Sequence, residues 1–146
     1  IGDLIVSIVP PGIFFGRIAN FINGELWGKT TEISLGVLFP KAPDFIIGVA
    51  RHPSQIYAAL LEGLIPFIYV QWRFWKTDIT KKCPGHLTGE FLFLYSVGRI
   101  TNELFREPDA SLILGMSRGQ FYSIFLAIGG IFLIYLAKRK TSQYQN

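Results

Sequence analysis

Residues 119–137 read GQFYSIFLAIGGIFLIYLA, an uncharged run that ends in Lys138-Arg139-Lys140. A helix needs about 20 apolar residues to cross roughly 30 Å of hydrocarbon, and this run supplies them with a basic stop at one end. The rest of the chain agrees. Half of its 146 residues are hydrophobic and 16% are charged, where a soluble domain carries about 25% charged residues.

Working back from that run, three more segments reach spanning length. Helix C covers about 87–105 and helix B about 53–72, with Pro53 in the first turn and Gly63 and Pro66 inside as sources of a bend. Helix A covers about 4–22, and Pro10 and Pro11 are expected to kink it or split it into two half-helices. The expected fold is therefore all-α: a polytopic transmembrane bundle over residues 1–140, followed by a polar cytoplasmic tail over 141–146. The chain opens at Ile1 inside an apolar run with no basic leader, and is read as a piece whose N-terminal part is missing.

Loop charge sets the orientation. The B–C loop holds Arg73, Lys76, Lys81 and Lys82, and Lys138, Arg139 and Lys140 follow helix D, the run over 119–137. These regions are two crossings apart and mark one side as cytoplasmic. The A–B loop offsets Lys29, Lys41 and Arg51 with Glu25, Glu32 and Asp44, and the C–D loop offsets Arg106 and Arg118 with Glu107 and Asp109. Both loops face outward. No basic–aromatic interleaving points to nucleic acid. Cys83 is the only cysteine, and neither CxxC nor His-rich spacing offers a metal site.

Charge in hydrocarbon costs about 2.5–3.5 kcal/mol per residue at a helix centre, so each instance needs a reason. On helix C, at about 100° per residue, Tyr95, Arg99, Asn102, Glu103 and Arg106 share an arc of about 100°, opposite Phe93, Val97, Ile100 and Leu104. Arg99 and Glu103 alone could be a mutual ion pair; five polar groups on one face indicate a polar cavity. Helix B places Glu62 near the midplane on one face with Gln55 and Tyr69, where a carboxylate must find a partner or hold its proton. It reads as helix–helix hydrogen bonding slightly ahead of catalysis. His52, beside Pro53, is a cap or a second-rank base. Gly119, Ser123 and Ala127 form a small-residue stripe suited to packing a neighbouring helix.

The densest polar segment is Gly16-Arg17-Ile18-Ala19-Asn20-Phe21-Ile22-Asn23-Gly24-Glu25-Leu26-Trp27-Gly28 at the outer end of helix A. Arg17 offers a bidentate donor fork, the amides orient, and the glycines admit close backbone approach, which suits an anion.

This segment resembles the signature of bacterial prolipoprotein diacylglyceryl transferases at every fixed position. The likeness continues through Arg51-His52-Pro53-Ser54-Gln55, through Tyr95, Arg99 and Glu103 at four-residue spacing, and through Arg106-Glu107-Pro108-Asp109. The family's N-terminal helices, with a His-Gly motif, have no counterpart, so the resemblance is to the C-terminal portion.

The resemblance implies transfer of the diacylglyceryl group of phosphatidylglycerol to the lipobox cysteine of a preprolipoprotein, in the bacterial inner membrane, without metal or organic cofactor. It implies Arg17 and Arg99 for the phosphate, Asn20 for headgroup orientation, Glu25 and Glu103 to position the arginines, and Tyr95 to bond the glycerol. Asn23, Gly28 and His52 complete the substrate-binding set. The general base stays open between the histidine of the absent segment, His52 and a carboxylate. Two other classes also use charged stripes: a transporter, which would show a second interrupted half, and a non-catalytic assembly subunit.

Overall fold

A computed structural model describes residues 1–144; Gln145 and Asn146, the end of the expected tail, lie outside the described residues. The elements are α1 (Gly2–Ile22), a 3-10 turn (Phe45–Ile47), α2 (Ser54–Ala58), a π-helical segment (Ala59–Leu64), α3 (Ile65–Lys76), α4 (Ile79–Lys82), α5 (His86–Glu103) and α6 (Arg118–Tyr144). Among the described residues there is no strand, only isolated bridges such as Gly28 with Arg106 and Val37 with Arg51.

α1 and α6 are long and apolar enough to cross a bilayer, with mean hydropathy of 1.6 and 1.9, and only 17% of each stretch is buried within the chain. The outside is largely apolar, with Val97 47% and Phe132 56% exposed, while polar Ser96 and Glu62 are fully enclosed beside an apolar core of Val6, Val70, Leu87 and Phe91. That arrangement fits a lipid solvent.

Pro10 and Pro11 do not split α1, which is one helix from Gly2 to Ile22. Pro11 leaves the Ser7 carbonyl without its helical donor. Gln71 of α3 replaces that donor, its Nε2 lying 2.6 Å from the Ser7 oxygen. Helix B likewise stays helical from Ser54 to Lys76, but through a π turn: the Ile65 N–H reaches back five residues to the Leu60 carbonyl, just before Pro66. A Cβ on Gly63 would lie 2.7 Å from Phe14 Cα of α1, and one on Gly98 of α5 would lie 2.5 Å from the Leu61 carbonyl oxygen. The wide turn is thus wedged between α1 and α5.

Gly85 is the N-cap of α5, and its φ of 89° suits glycine. The helix's free N–H groups are capped from outside: Asp3 of α1 accepts from Gly85 N, Thr88 N and Thr88 Oγ1, each at 2.8 Å. α5 ends at Glu103, not 105, because Leu104 and Phe105 turn back onto the Thr101 and Asn102 carbonyls and Phe105 O accepts from Lys29 N at 2.8 Å. Arg106, placed on the helical arc by periodicity, therefore lies beyond the helix. α6 runs past Ala137 and Lys140 to Tyr144, so 141–144 are helix. Thr141 Oγ1 lies 2.8 Å from Lys82 O, which brings the two basic clusters to one end of the bundle.

α5 and α6 cross where Gly89 faces Gly130: a Cβ on Gly130 would lie 2.7 Å from the Gly89 carbonyl oxygen. Gly129, one residue earlier, has open space. We expect Gly130→Ala to destabilise the protein by about 1–3 kcal/mol through backbone overpacking, while Gly129→Ala is neutral or slightly stabilising. Thermal unfolding of the two detergent-purified variants checks this, and equal midpoints would disprove the crossing.

Candidate active site

The site is organised by Glu62, which the π turn of helix B points into the bundle with no exposed surface. Three groups from two other helices converge on it. Arg17 of α1 donates through Nη2 to Oε2 at 2.7 Å. Arg99 Nη1 and Asn102 Nδ2 of α5 reach Oε1 at 3.4 Å each. The bond to Arg17 is of charge-assisted length and is the strong one.

The network continues outward along α5. Arg99 Nη2 lies 2.8 Å from Glu103 Oε1, the same oxygen lies 3.4 Å from Arg106 Nη1, and Arg106 Nη2 lies 2.7 Å from Asp109. Glu103 is backed by α6, where a Cβ on Gly119 would sit 2.5 Å from Oε1. The small-residue stripe of α6 thus packs against α5 at Gly119, where the close approach makes room for the carboxylate. Three guanidinium groups face two buried carboxylates, and Asp109 is 68% exposed to solvent. Asp109 thus supplies the third carboxylate of the cluster from its solvent-exposed end.

The loop before α2 closes over this cluster at the end opposite the basic residues. Gly28 N donates to His52 O at 3.0 Å and Lys29 N to Phe105 O at 2.8 Å, joining the two loops. Arg51 locks them from inside. It binds Asp44 with two bonds of 3.0 and 2.8 Å, the Gly28 carbonyl at 3.0 Å and Glu107 at 3.4 Å. Hydrogen bonding from the Arg51 guanidinium holds the Asp44 carboxyl below the usual carboxylate range.

The structure brings Arg17, Asn20 and Tyr95 together as walls of a cavity of about 270 Å³, with Ile13 and Gly16. Arg99 joins them through Glu62, and Glu103 through Arg99. The other expected residues stand elsewhere. Asn23 is the exposed C-terminal cap of α1. Glu25, expected to position an arginine, has an exposed side chain, and its carbonyl accepts from Gln55 Nε2 at 2.6 Å. Gly28 is enclosed, with its Cα against the His52 and Phe105 carbonyls. His52 lies in an aromatic cluster with Phe105 and with Tyr57, whose hydroxyl is 3.3 Å from Nδ1.

The positioning role thus falls to Glu62 for Arg17 and to Glu103 for Arg99 and Arg106. Sequence reasoning placed Glu62 near the midplane but not against Arg17. The available signal was that a carboxylate at that depth needs a cation. Arg51, read as a loop charge and as the first residue of the Arg51–Gln55 stretch, was given no structural role there.

An outward-facing apolar surface and two helices of spanning character around an enclosed arginine–carboxylate centre fit a helical membrane protein. Within that class the family is definite: the model of the prolipoprotein diacylglyceryl transferase family matches residues 1–136, and the chain belongs to it. It is 46% identical over 143 residues to the phosphatidylglycerol–prolipoprotein diacylglyceryl transferase of Idiomarina loihiensis, covering 96% of this chain and 51% of that protein. It is 43% identical over 145 residues to the same-named protein of Rhodospirillum rubrum, covering 95% and 50%. A third such relative, from Rickettsia bellii, is 46% identical over 135 residues. The chain spans about half the length of these relatives.

Glu62→Gln leaves Arg17 without its counter-charge inside the bundle. Removing one partner of a buried pair costs about 3–5 kcal/mol, and we expect a loss of that order in thermal unfolding of the purified protein. An unchanged midpoint would show that Glu62 does not organise the cluster.

Proposed function

We propose that this chain carries the anion-binding part of an enzyme that moves the diacylglyceryl group of phosphatidylglycerol onto the cysteine thiol of a prolipoprotein. The observation that carries the reading is the convergence of Arg17 and Arg99 on Glu62 beside the cavity lined by Arg17, Asn20 and Tyr95, in a family whose relatives bear that name.

The chemistry forms a sulfur–carbon bond at a glyceryl carbon and breaks the carbon–oxygen bond to phosphate. Glycerol phosphate leaves with the bonding pair, and the thiol proton passes to a base. Charge therefore builds on the phosphate oxygens as the bond breaks, and fixed guanidinium donors lower that barrier more than mobile water does. Arg17 takes the phosphate, with Arg99 held behind the same carboxylate. Asn20 orients the headgroup and Tyr95 bonds the glycerol or departing oxygen. Glu103 fixes Arg99 from the outer side. Within this chain His52 and the carboxylates are the candidate bases, and Asn23, Glu25 and Gly28 shape the loop over the site. The prolipoprotein's lipobox segment approaches from the loop end.

In this reading the chain crosses the bacterial inner membrane four times. α1 and α6 are joined by the Ser54–Lys76 path and by α5, whose charges face inward. The end carrying Arg73, Lys76, Lys81, Lys82 and Lys138–Lys140 is cytoplasmic, and the arginine cluster faces outward, toward exported substrate and the outer leaflet.

Arg17→Lys keeps the charge and loses the planar fork. Transfer of labelled glycerolipid to a lipobox peptide by the intact enzyme should fall on the order of 10²-fold at unchanged protein level. Normal transfer would remove Arg17 from the phosphate site. For orientation, cysteines placed at Lys29 and Asp109 should react with an impermeant thiol reagent in sealed right-side-out cells, and native Cys83 should not. Labelling of Cys83 would overturn the assignment of sides.

A further inference from the structure

Two buried amide oxygens near the cluster have no hydrogen-bond partner: Oε1 of Gln55 and Oδ1 of Asn102. The residues are 2% and 1% exposed. Their amide orientation is chemically fixed. Gln55 Nε2 faces the Glu25 carbonyl at 2.6 Å and Asn102 Nδ2 faces the Glu62 carboxylate at 3.4 Å, and both of those partners only accept. Each amide must therefore turn its oxygen the other way. Leaving a buried acceptor empty forfeits the hydrogen bonds it had in water.

Both side chains line one small cavity, together with Arg17, Asn20 and Arg106. It leaves about 10 Å³ of room for the centre of a water-sized sphere. That is about what one water needs, and it is far too little for a glycerol headgroup.

We propose that this cavity is a binding site for a single ordered water, which donates one hydrogen to Gln55 Oε1 and the other to Asn102 Oδ1. Its oxygen accepts from a guanidinium of the cavity wall. Two unpartnered acceptors and neighbouring cationic donors match the two hydrogens and lone pairs of one water molecule, and a cation in their place would meet the arginines. The bridge links the start of α2 to α5. Asn102 is then held at both ends, by the water and by Glu62, and the loop residue Glu25 is tied through Gln55 to the same network. The site rests on burial and hydrogen-bond accounting and stands independently of the transferase reading.

Two measurements on the full-length protein test it. An experimental structure resolving ordered solvent should show a water within hydrogen-bond distance of both amide oxygens; an empty position, or a side chain filling it, would overturn the proposal. Gln55→Met and Asn102→Leu should each lower the unfolding midpoint, and the double variant should lower it by clearly less than the sum, because both changes abolish one shared bridge. Additive shifts would sink the bridge as well. If a variant does not fold, the solvent density alone decides.

Discussion

A carboxylate with no exposed surface, on a helix between two others, dictates how the inner half of this molecule is built. Glu62 cannot be left charged and alone, since an unpaired charge in such a setting is among the costliest defects a protein can hold. Its neutralisers come from α1 and α5, so both helices must approach closely. The residues flanking Glu62 permit that approach: Gly63 lies against the Phe14 backbone and the Leu61 carbonyl against Gly98. Close packing and charge pairing are here one device. The π turn completes it, because widening the helix ahead of Pro66 accommodates the missing N–H in the same segment that aims Glu62 inward.

The same logic recurs at the opposite end. In a lipid solvent every backbone polar group needs an internal partner. Gln71 caps the Ser7 carbonyl freed by Pro11, and Asp3 caps the N-terminus of α5. Arg73 and His86 pair with Glu90 at 2.7 and 3.2 Å. In the Gln71 and Asp3 cases a defect in one helix is repaired by a side chain from another, and Arg73 of α3 is tied to Glu90 of α5 in the same way. Irregular helices thereby become a source of register, since the bundle closes with these repairs in place.

How much of this the sequence disclosed follows from the range of each interaction. The apolar run of α6 and the polar face of α5 are local periodic features, and both were legible. Motif resemblance named Arg17, Asn20, Tyr95 and Arg99 together; the first three line one cavity, and Arg99 meets the carboxylate that Arg17 binds. Long-range repairs were not legible. Pro10 and Pro11 read as a break because the donor that replaces the lost bond lies 64 residues away in Gln71. Arg106 read as helical because the turn at Leu104 is fixed by a loop that reaches Phe105 from Lys29. Glu25 was expected beside an arginine from its place in the motif. The positive φ values at Gly24 and Leu26, 65° and 58°, belong to a turn that leaves its carboxylate in solvent.

The depth ordering of charges bears on what the proposed site can do. Glu62 is fully enclosed, and Arg17 stands in front of it with 19% of its side chain exposed toward the cavity. A carboxylate behind a guanidinium fixes the direction of the fork without occupying its outer edge. An arriving phosphate meets oriented N–H groups and need not displace the acid. Were the carboxylate in front, the anion would have to break the 2.7 Å pair before binding. Counting Asp109, three guanidinium groups meet three carboxylates, and what is left over is the outer edge of the Arg17 fork facing the cavity. A resting site of this kind is stable because its pairs are satisfied, and suited to anions because the outer N–H groups of Arg17 stay oriented toward the cavity. The preference strengthens as charge accumulates on the departing oxygen, which is the condition for accelerating a step rather than merely holding its substrate.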